Sequence, residues 1–285
     1  MQFPDFDPVL IHLGPIAIRW YGLAYVAGIL LGWRYAVSLT RNTALWGKTQ
    51  PTATPLQIDD LILWITFGII VGGRLGSAIF YDANRMISNP LEVFKIWQGG
   101  MSFHGGFLGV CVAVALFARH CKIDLLRVGD LVAAATPFGL LFGRIANFIN
   151  GELWGRPTDM PWGVAFPGEA AQTCEGILTV CARHPSQLYE AALEGLLLFA
   201  VLTYGIWRAG WLRFGGRVAG VFFAGYGLSR FVVEFFRQPD AQFVSEGNPL
   251  GLAWQMGGYG LTMGQLLTLP MIVAGAWFIA RARAA

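Results

Sequence analysis

Charge is what this sequence has least of. Only 13% of its 285 residues are Asp, Glu, Lys or Arg, while 55% are hydrophobic. Soluble domains carry roughly 25% charged residues, so an ordinary soluble domain is excluded and a polytopic membrane protein is indicated. The net charge of +3 is too small to imply a nucleic-acid partner. Histidine is scarce too. His12, His104, His120 and His184 show no ligand spacing, so no metal site and no cofactor are expected. The four cysteines form no CxxC pair and no Cys/His metal pattern. Cys111 and Cys121 fall in or just after an apolar run, and Cys174 and Cys181 in a polar loop. They read as small apolar fillers plus at most one loop disulfide. The first fifteen residues carry Asp5 and Asp7 and no basic segment, so the first span is expected to be retained rather than cleaved. An internal repeat is not evident, which counts against many transporter architectures.

What is abundant fits a bilayer. The chain has 37 glycines and 11 tryptophans, suited to close helix packing and interfacial anchoring. Seven apolar runs approach the ~20 residues needed to cross the hydrocarbon core. They cover about 19–39, 58–81, 103–119, 128–148, 185–207, 217–236 and 263–279. The expected fold is therefore all-α, a polytopic membrane protein of about seven transmembrane helices forming one integral-membrane domain over 1–285. Residues 1–18 read as a short, Pro-containing acidic lead. Residues 82–102 read as a loop with a short amphipathic piece, Leu91 to Trp97. Residues 149–184 and 238–261 read as polar loops.

Lysine and arginine set the orientation. With the C-terminus cytoplasmic, the inner flanks hold eleven basic residues: Arg34, Arg41, Lys48, Arg119, Lys122, Arg127, Arg208, Arg213, Arg217, Arg281 and Arg283. The outer flanks hold six: Arg19, Arg85, Lys95, Arg156, Arg183 and Arg237. The bias places the N-terminus outside, and both long polar loops with it.

This topology gathers polar residues at one depth. Arg144 lies near the outer end of the fourth span, Arg230 and Glu234 in the outer half of the sixth, and Arg74 in the outer half of the second. Tyr21 and His104 open the first and third spans. Ser186, Gln187, Tyr189 and Glu190 open the fifth. Each unpaired charge there would cost a few kcal/mol. Tyr226, Glu234 and Arg237 lie at i−4, i+4 and i+7 from Arg230 and share its helix face. Arg144 and Asn147 are an i, i+3 pair; Glu190 and Glu194 are i, i+4. Taken singly, each has a bland reading. Arg230 and Glu234 could be a helix-stabilising pair, Arg237 could snorkel, and Arg74 could neutralise Glu190 or Glu194. As a set at one depth they point to a hydrated functional cavity. His104 precedes Gly105-Gly106, where a substrate or another helix can come close. Its neutral imidazole could act as a base near pH 7.

The centre of this pattern is Gly143 to Gly155, GRIANFINGELWG, where an arginine, two amides and a carboxylate follow an apolar run. Ahead of it stand Trp20-Tyr21-Gly22, Gly72-Gly73-Arg74 and Phe103-His104-Gly105-Gly106. After it come Arg183-His184-Pro185-Ser186-Gln187-Leu188-Tyr189-Glu190, Tyr226-Gly227 with Arg230, and Glu234-Phe235-Phe236-Arg237-Gln238-Pro239-Asp240. In these motifs and their order, from residue 20 to the end, the chain resembles the bacterial prolipoprotein diacylglyceryl transferases. The loops at 42–56 and 167–182 match least.

The resemblance implies transfer of the diacylglyceryl group of phosphatidylglycerol to the lipobox cysteine of a prolipoprotein signal peptide. A thioether forms and glycerol phosphate is released, the first step of lipoprotein maturation. It also implies a multi-pass protein of the bacterial inner membrane with its site toward the periplasm. The residues implicated are Tyr21, His104, Arg144, Asn147, Glu152, Gly155, Tyr226, Arg230, Glu234 and Arg237. Arg144 and Arg230 are assigned to the phosphate, and Asn147 and Tyr21 to headgroup positioning. His104 or Tyr226 is the candidate base, and Glu234 and Glu152 would orient the arginines. The nucleophile comes from the substrate, so none of the four cysteines need be catalytic. On residue types alone, a transporter or channel for an anionic solute or lipid is the main alternative, and an intramembrane hydrolase lacks a GxSxG-type elbow beside Ser186.

Overall fold

The computed structural model describes residues 1–4, 6–14, 16–80, 93–94, 100–174, 179–257 and 259–282. Among the described residues seven long helices dominate: α1 (Trp20–Arg41), α2 (Pro55–Phe80), α3 (Phe103–Cys121), α4 (Leu125–Ile149), α5 (Ser186–Trp207), α6 (Arg217–Val233) and α7 (Met263–Arg281). Six of them are long and apolar enough to cross a membrane. The seventh, α6, has 17 residues and spans only about 26 Å at 1.5 Å per residue. The chain is a polytopic, mostly helical membrane protein. The expected piece Leu91–Trp97 lies outside the described residues apart from Val93 and Phe94.

Helix starts follow capping chemistry. Thr54 and Gln57 form a reciprocal box ahead of α2, with Pro55 at its first position. Thr262 and Gln265 do the same for α7. Ser102 caps α3, and Asp124 caps α4. The start of α6 is capped from another helix: buried Asp130 of α4 accepts from the amides of Gly216 and Ala219 at 2.7 and 2.8 Å. Those two bonds tie α6 to α4.

Helix pairs approach through small residues. Along α2 and α3, Gly68, Gly72 and Gly76 face Gly105 and Gly109 so closely that an added Cβ would sit inside the partner's backbone. Gly105 thus serves a neighbouring helix. Gly195 of α5 lies against the backbone of Leu141 in α4. From Ala191 to Leu197, α5 widens into a π-helical segment, a feature often found at functional sites.

The described parts of 1–18 and 238–261 hold more regular structure than their composition suggests. Val9–Leu13 (β1) pairs with Ile16–Arg19 (β2), and Leu252–Met256 (β3) pairs with Tyr259–Thr262 (β4). Each hairpin has a five-residue and a four-residue strand, and each shifts register near the first residue of its longer strand. Each then runs directly into a spanning helix, α1 or α7. The two sequences share little beyond a turn glycine, Gly14 or Gly257, so this structural recurrence is silent at the level of residue identity.

The main apolar core sits at the end of the bundle where α1 meets α2, α3 meets α4 and α5 meets α6. It includes Leu39, Trp46, Phe117, Leu131, Leu202 and Leu212. At the opposite end a smaller core of Val164, Phe166 and Ala171, with Phe3, Phe148 and Trp154 against it, supports a cap formed by residues 149–174 and 179–184. Cys174 and Cys181 are joined there by a disulfide.

Candidate functional site

At the cap end, α4, α5, α6 and the turn that follows α6 bring three arginines and three glutamates together. Glu190, fully buried on α5, is the meeting point. Its Oε1 accepts from Arg230 Nη1 at 2.6 Å and from Arg237 Nη1 at 2.7 Å. Its Oε2 lies 2.8 Å from Arg144 Nε. Glu234 adds contacts to Arg230 Nη2 at 3.0 Å and Arg237 Nε at 3.7 Å, and Thr262 donates to its Oε1. Glu194, also fully buried, lies 3.8 Å from Arg144 Nη2.

The layering decides what this cluster can bind. The side chains of Arg144, Arg230 and Arg237 keep 18–19% of their surface exposed, whereas Glu190 and Glu194 keep none. The open face is therefore cationic and the carboxylates form its floor. Guanidinium groups held in this way present their remaining N–H edges to an anion, which phosphate oxygens can accept bidentately. Tyr226 stands within electrostatic reach of Arg144 and Arg230, stacked on Phe222.

The end of α4 accounts for the rest of the GRIANFINGELWG stretch. Asn150 is the C-cap, and Gly151 follows at φ +66°. The amide of Gly151 donates to Phe148 O, and that of Glu152 donates to Asn147 O. This is a Schellman termination, which requires a left-handed residue where Gly151 sits. Gly151 therefore ends the helix. The chain then turns back so that Asn147 Nδ2 donates to Glu152 Oε1 at 2.8 Å. The carboxylate of Glu152 thus holds the amide of Asn147. Among the described contacts, the carboxylates that touch Arg144, Arg230 and Arg237 are those of Glu190, Glu194 and Glu234.

Gly155 also has a structural reason. It bridges to Arg237 and donates its amide to His184 O, and an added Cβ would lie 2.3 Å from Phe236 O. Only glycine lets these three segments converge. Ser186 Oγ donates to Leu153 O and Gln187 Nε2 to Glu152 O, fastening the start of α5 to the same turn.

Other expected site residues lie around this frame. Tyr21 opens α1, its hydroxyl 3.0 Å from that of Tyr25 and within electrostatic reach of Arg144 and Glu152. His104 stands exposed in the first turn of α3. Arg74 is buried, and its guanidinium donates to Val93 O at 2.9 Å and Gly100 O at 3.3 Å, bracing the connection into α3.

Two residues matter more than sequence spacing indicated. Glu190 was legible as a polar residue on α5, but its three partners come from α4, α6 and the turn beyond. Arg183 is fully buried beneath the cap. It donates to Ala171 O, Thr173 O, Gly155 O and Gln238 Oε1, and lies 3.9 Å over the Trp154 ring. Arg156 donates to Arg237 O and Leu250 O, tying the cap to the start and the middle of the 238–261 region. Beside them His184 pairs with the Tyr189 hydroxyl at 3.1 Å, and burial holds its imidazole below the ordinary value. Among the described residues no group of His, Cys, Asp and Glu is arranged to hold a metal ion.

A membrane-spanning helical bundle with an arginine-faced, carboxylate-floored cluster behind a disulfide-bonded cap is the class of protein these features define. A family model described as prolipoprotein diacylglyceryl transferase matches residues 8–281. Relatives named phosphatidylglycerol–prolipoprotein diacylglyceryl transferase align over almost the whole chain. One from Cereibacter sphaeroides is 60% identical, covering 99% of this chain and 98% of its own length. One from Ruegeria pomeroyi is 58% identical, covering 100% and 98%. One from Caulobacter vibrioides is 55% identical, covering 98% and 94%. The chain belongs to the prolipoprotein diacylglyceryl transferase family.

Proposed function

We infer that this protein transfers the diacylglyceryl group of phosphatidylglycerol to the lipobox cysteine of prolipoproteins, and that the cluster of Arg144, Arg230 and Arg237 is where the phosphate binds. Family membership carries the activity. The cationic face over a buried carboxylate floor carries the assignment of the site.

In this reaction the cysteine sulfur attacks the glycerol carbon that bears the phosphate. A C–S bond forms, the C–O bond breaks, and its electron pair leaves with the phosphate oxygen as glycerol phosphate. Charge grows on that oxygen as the bond lengthens, which is where preorganised guanidinium groups act most strongly. Arg144 and Arg230 take the phosphate oxygens, with Arg237 beside them. Asn147, held by Glu152, and Tyr21 position the headgroup. The thiol must lose its proton, and free thiols ionise near pH 8.5. Of the two candidate bases, His104 is the better suited chemically, because a neutral imidazole can accept a proton at once, whereas Tyr226 must first ionise. Tyr226 is better placed to orient Arg144 and Arg230.

All seven helices cross the membrane in this reading, with the N-terminus and the cap outside and the C-terminus in the cytoplasm. The protein is one domain of the inner membrane, and its site opens toward the periplasm. The positive-inside count and the disulfide in the cap support that orientation.

The test supplies purified protein with phosphatidylglycerol and a lipobox peptide. The expected result is a mass gain of one diacylglyceryl group on the peptide cysteine, and a loss on the order of 100-fold or more in Arg144→Ala. No mass gain from folded protein would overturn the activity. Near-normal turnover by Arg144→Ala would remove Arg144 from the phosphate role.

A further inference from the structure

Three guanidinium groups do not converge without help. At about 4 Å two like charges repel by roughly 4 kcal/mol even at an effective dielectric of 20. Something must hold Arg144, Arg230 and Arg237 together on one face before any phosphate arrives.

We propose that Glu190 is the positioning residue of this transferase: a buried carboxylate that registers the arginine of α4 against the two arginines of α6 and its C-terminal turn. The inference rests on the phosphate-binding reading given above and deepens it. Among the described contacts, Glu190 touches all three arginines, at 2.6, 2.7 and 2.8 Å. Glu234 reaches Arg230 and Arg237, and Glu194 reaches Arg144 alone. Without Glu190, the arginine of α4 loses its link to those of α6.

The geometry leaves the working edges open. Arg144 faces Glu190 with Nε and Glu194 with Nη2, Arg230 faces Glu190 with Nη1 and Glu234 with Nη2, and Arg237 faces Glu190 with Nη1 and Glu234 with Nε, so Arg144 Nη1, Arg230 Nε and Arg237 Nη2 lie outside these contacts. The carboxylate is fully buried while each arginine stays partly exposed, so Glu190 is the anchor behind the site and not a competitor in front of it. The fold is shaped to put it there. Glu190 closes the Ser186–Glu190 turn just ahead of the π-helical segment, and Gly195 lets α5 press against α4 beside Leu141.

Glutamine at this position separates the roles. Glu190→Gln keeps the Oε1 acceptor for Arg230 and Arg237 but turns an amide donor toward Arg144 Nε. Arg144 should move while the others stay. Initial rates of the full-length enzyme, with phosphatidylglycerol and lipobox peptide varied independently, read this directly, together with inhibition by the product glycerol phosphate. The expected result for folded Glu190→Gln is a kcat lower by on the order of 100-fold. Glycerol phosphate inhibition should weaken by about tenfold or more. The peptide KM should stay unchanged, a split that a general loss of structure does not produce.

If Glu190→Gln alone does not fold, Glu190→Gln with Arg237→Gln restores the charge balance and is compared with Arg237→Gln alone; glycerol phosphate inhibition about tenfold weaker than in that single variant is expected. Unchanged kcat and inhibition overturn the proposal, and so does failure of both variants to fold, which would make Glu190 a structural residue only. Arg144→Lys is measured alongside. If it is inhibited by glycerol phosphate and turns over normally, the phosphate reading itself fails. If it is impaired while Glu190→Gln is normal, only the role of Glu190 falls.

Discussion

Arg230 touches two carboxylates on two different elements, and this divides what spacing can show from what it cannot. Its pairing with Glu234 at 3.0 Å follows from an i, i+4 step along α6 and could be read from the sequence. Its 2.6 Å bond to Glu190 joins α6 to α5 and has no local signature. The same holds for Arg144, whose i+3 neighbour Asn147 was visible but whose ion pair with Glu190 was not. A double-mutant cycle of Arg230→Gln and Glu234→Gln, scored on transfer rate, should show coupling of about 1–3 kcal/mol. The pair is part of a shared network, so the second substitution should cost less than the first. Losses that simply add would show that Glu234 does not act through Arg230.

At the level of elements, the helices were legible because each needs a long apolar run, and a stretch of about 20 apolar residues is the signature of a membrane span. The hairpins were not. Strands of four or five residues give too short an alternation to stand out, and their composition resembles any interfacial loop. The π-helical stretch of α5 has no composition signal, since it reflects how α5 is seated between α4 and α6. The glycines of α2 and α3 were visible as a family motif, but the structure divides their work. An added Cβ at Gly72 would lie 2.3 Å from Gly105 O, backbone that cannot swing away. At Gly106 the nearest atom would be 3.9 Å off. Gly72→Ala should therefore cost about 1–3 kcal/mol by forcing the helices apart. Gly106→Ala should be neutral or slightly stabilising, because alanine is the better helix former. Thermal unfolding in detergent compares the two directly. Equal midpoints would mean that the α2–α3 contact does not depend on close backbone approach.

Across the whole molecule, the alternating helices place the cap, both hairpins and the arginine cluster at one end and the apolar core at the other. Basic residues concentrate in the connections at the core end, among them Lys48, Lys122, Arg127, Arg208 and Arg213. By the positive-inside rule this distribution supports the proposal that the core end is cytoplasmic. The disulfide gives an independent argument, since Cys174–Cys181 lies in the cap and such bonds persist in oxidising compartments. The two arguments use different residues and different physics, so they can fail separately. A chain carrying Cys111→Ala and Cys121→Ala keeps only the bonded pair. In intact cells a membrane-impermeant maleimide should leave this chain unlabelled. After an impermeant reductant it should add two labels per chain. Labelling that requires a permeabilised membrane would turn the molecule over and place the arginine cluster on the cytoplasmic side. Labelling without reductant would leave the orientation intact but show the pair to be free thiols, so that the cap would rest on Arg183 and its hydrogen bonds instead.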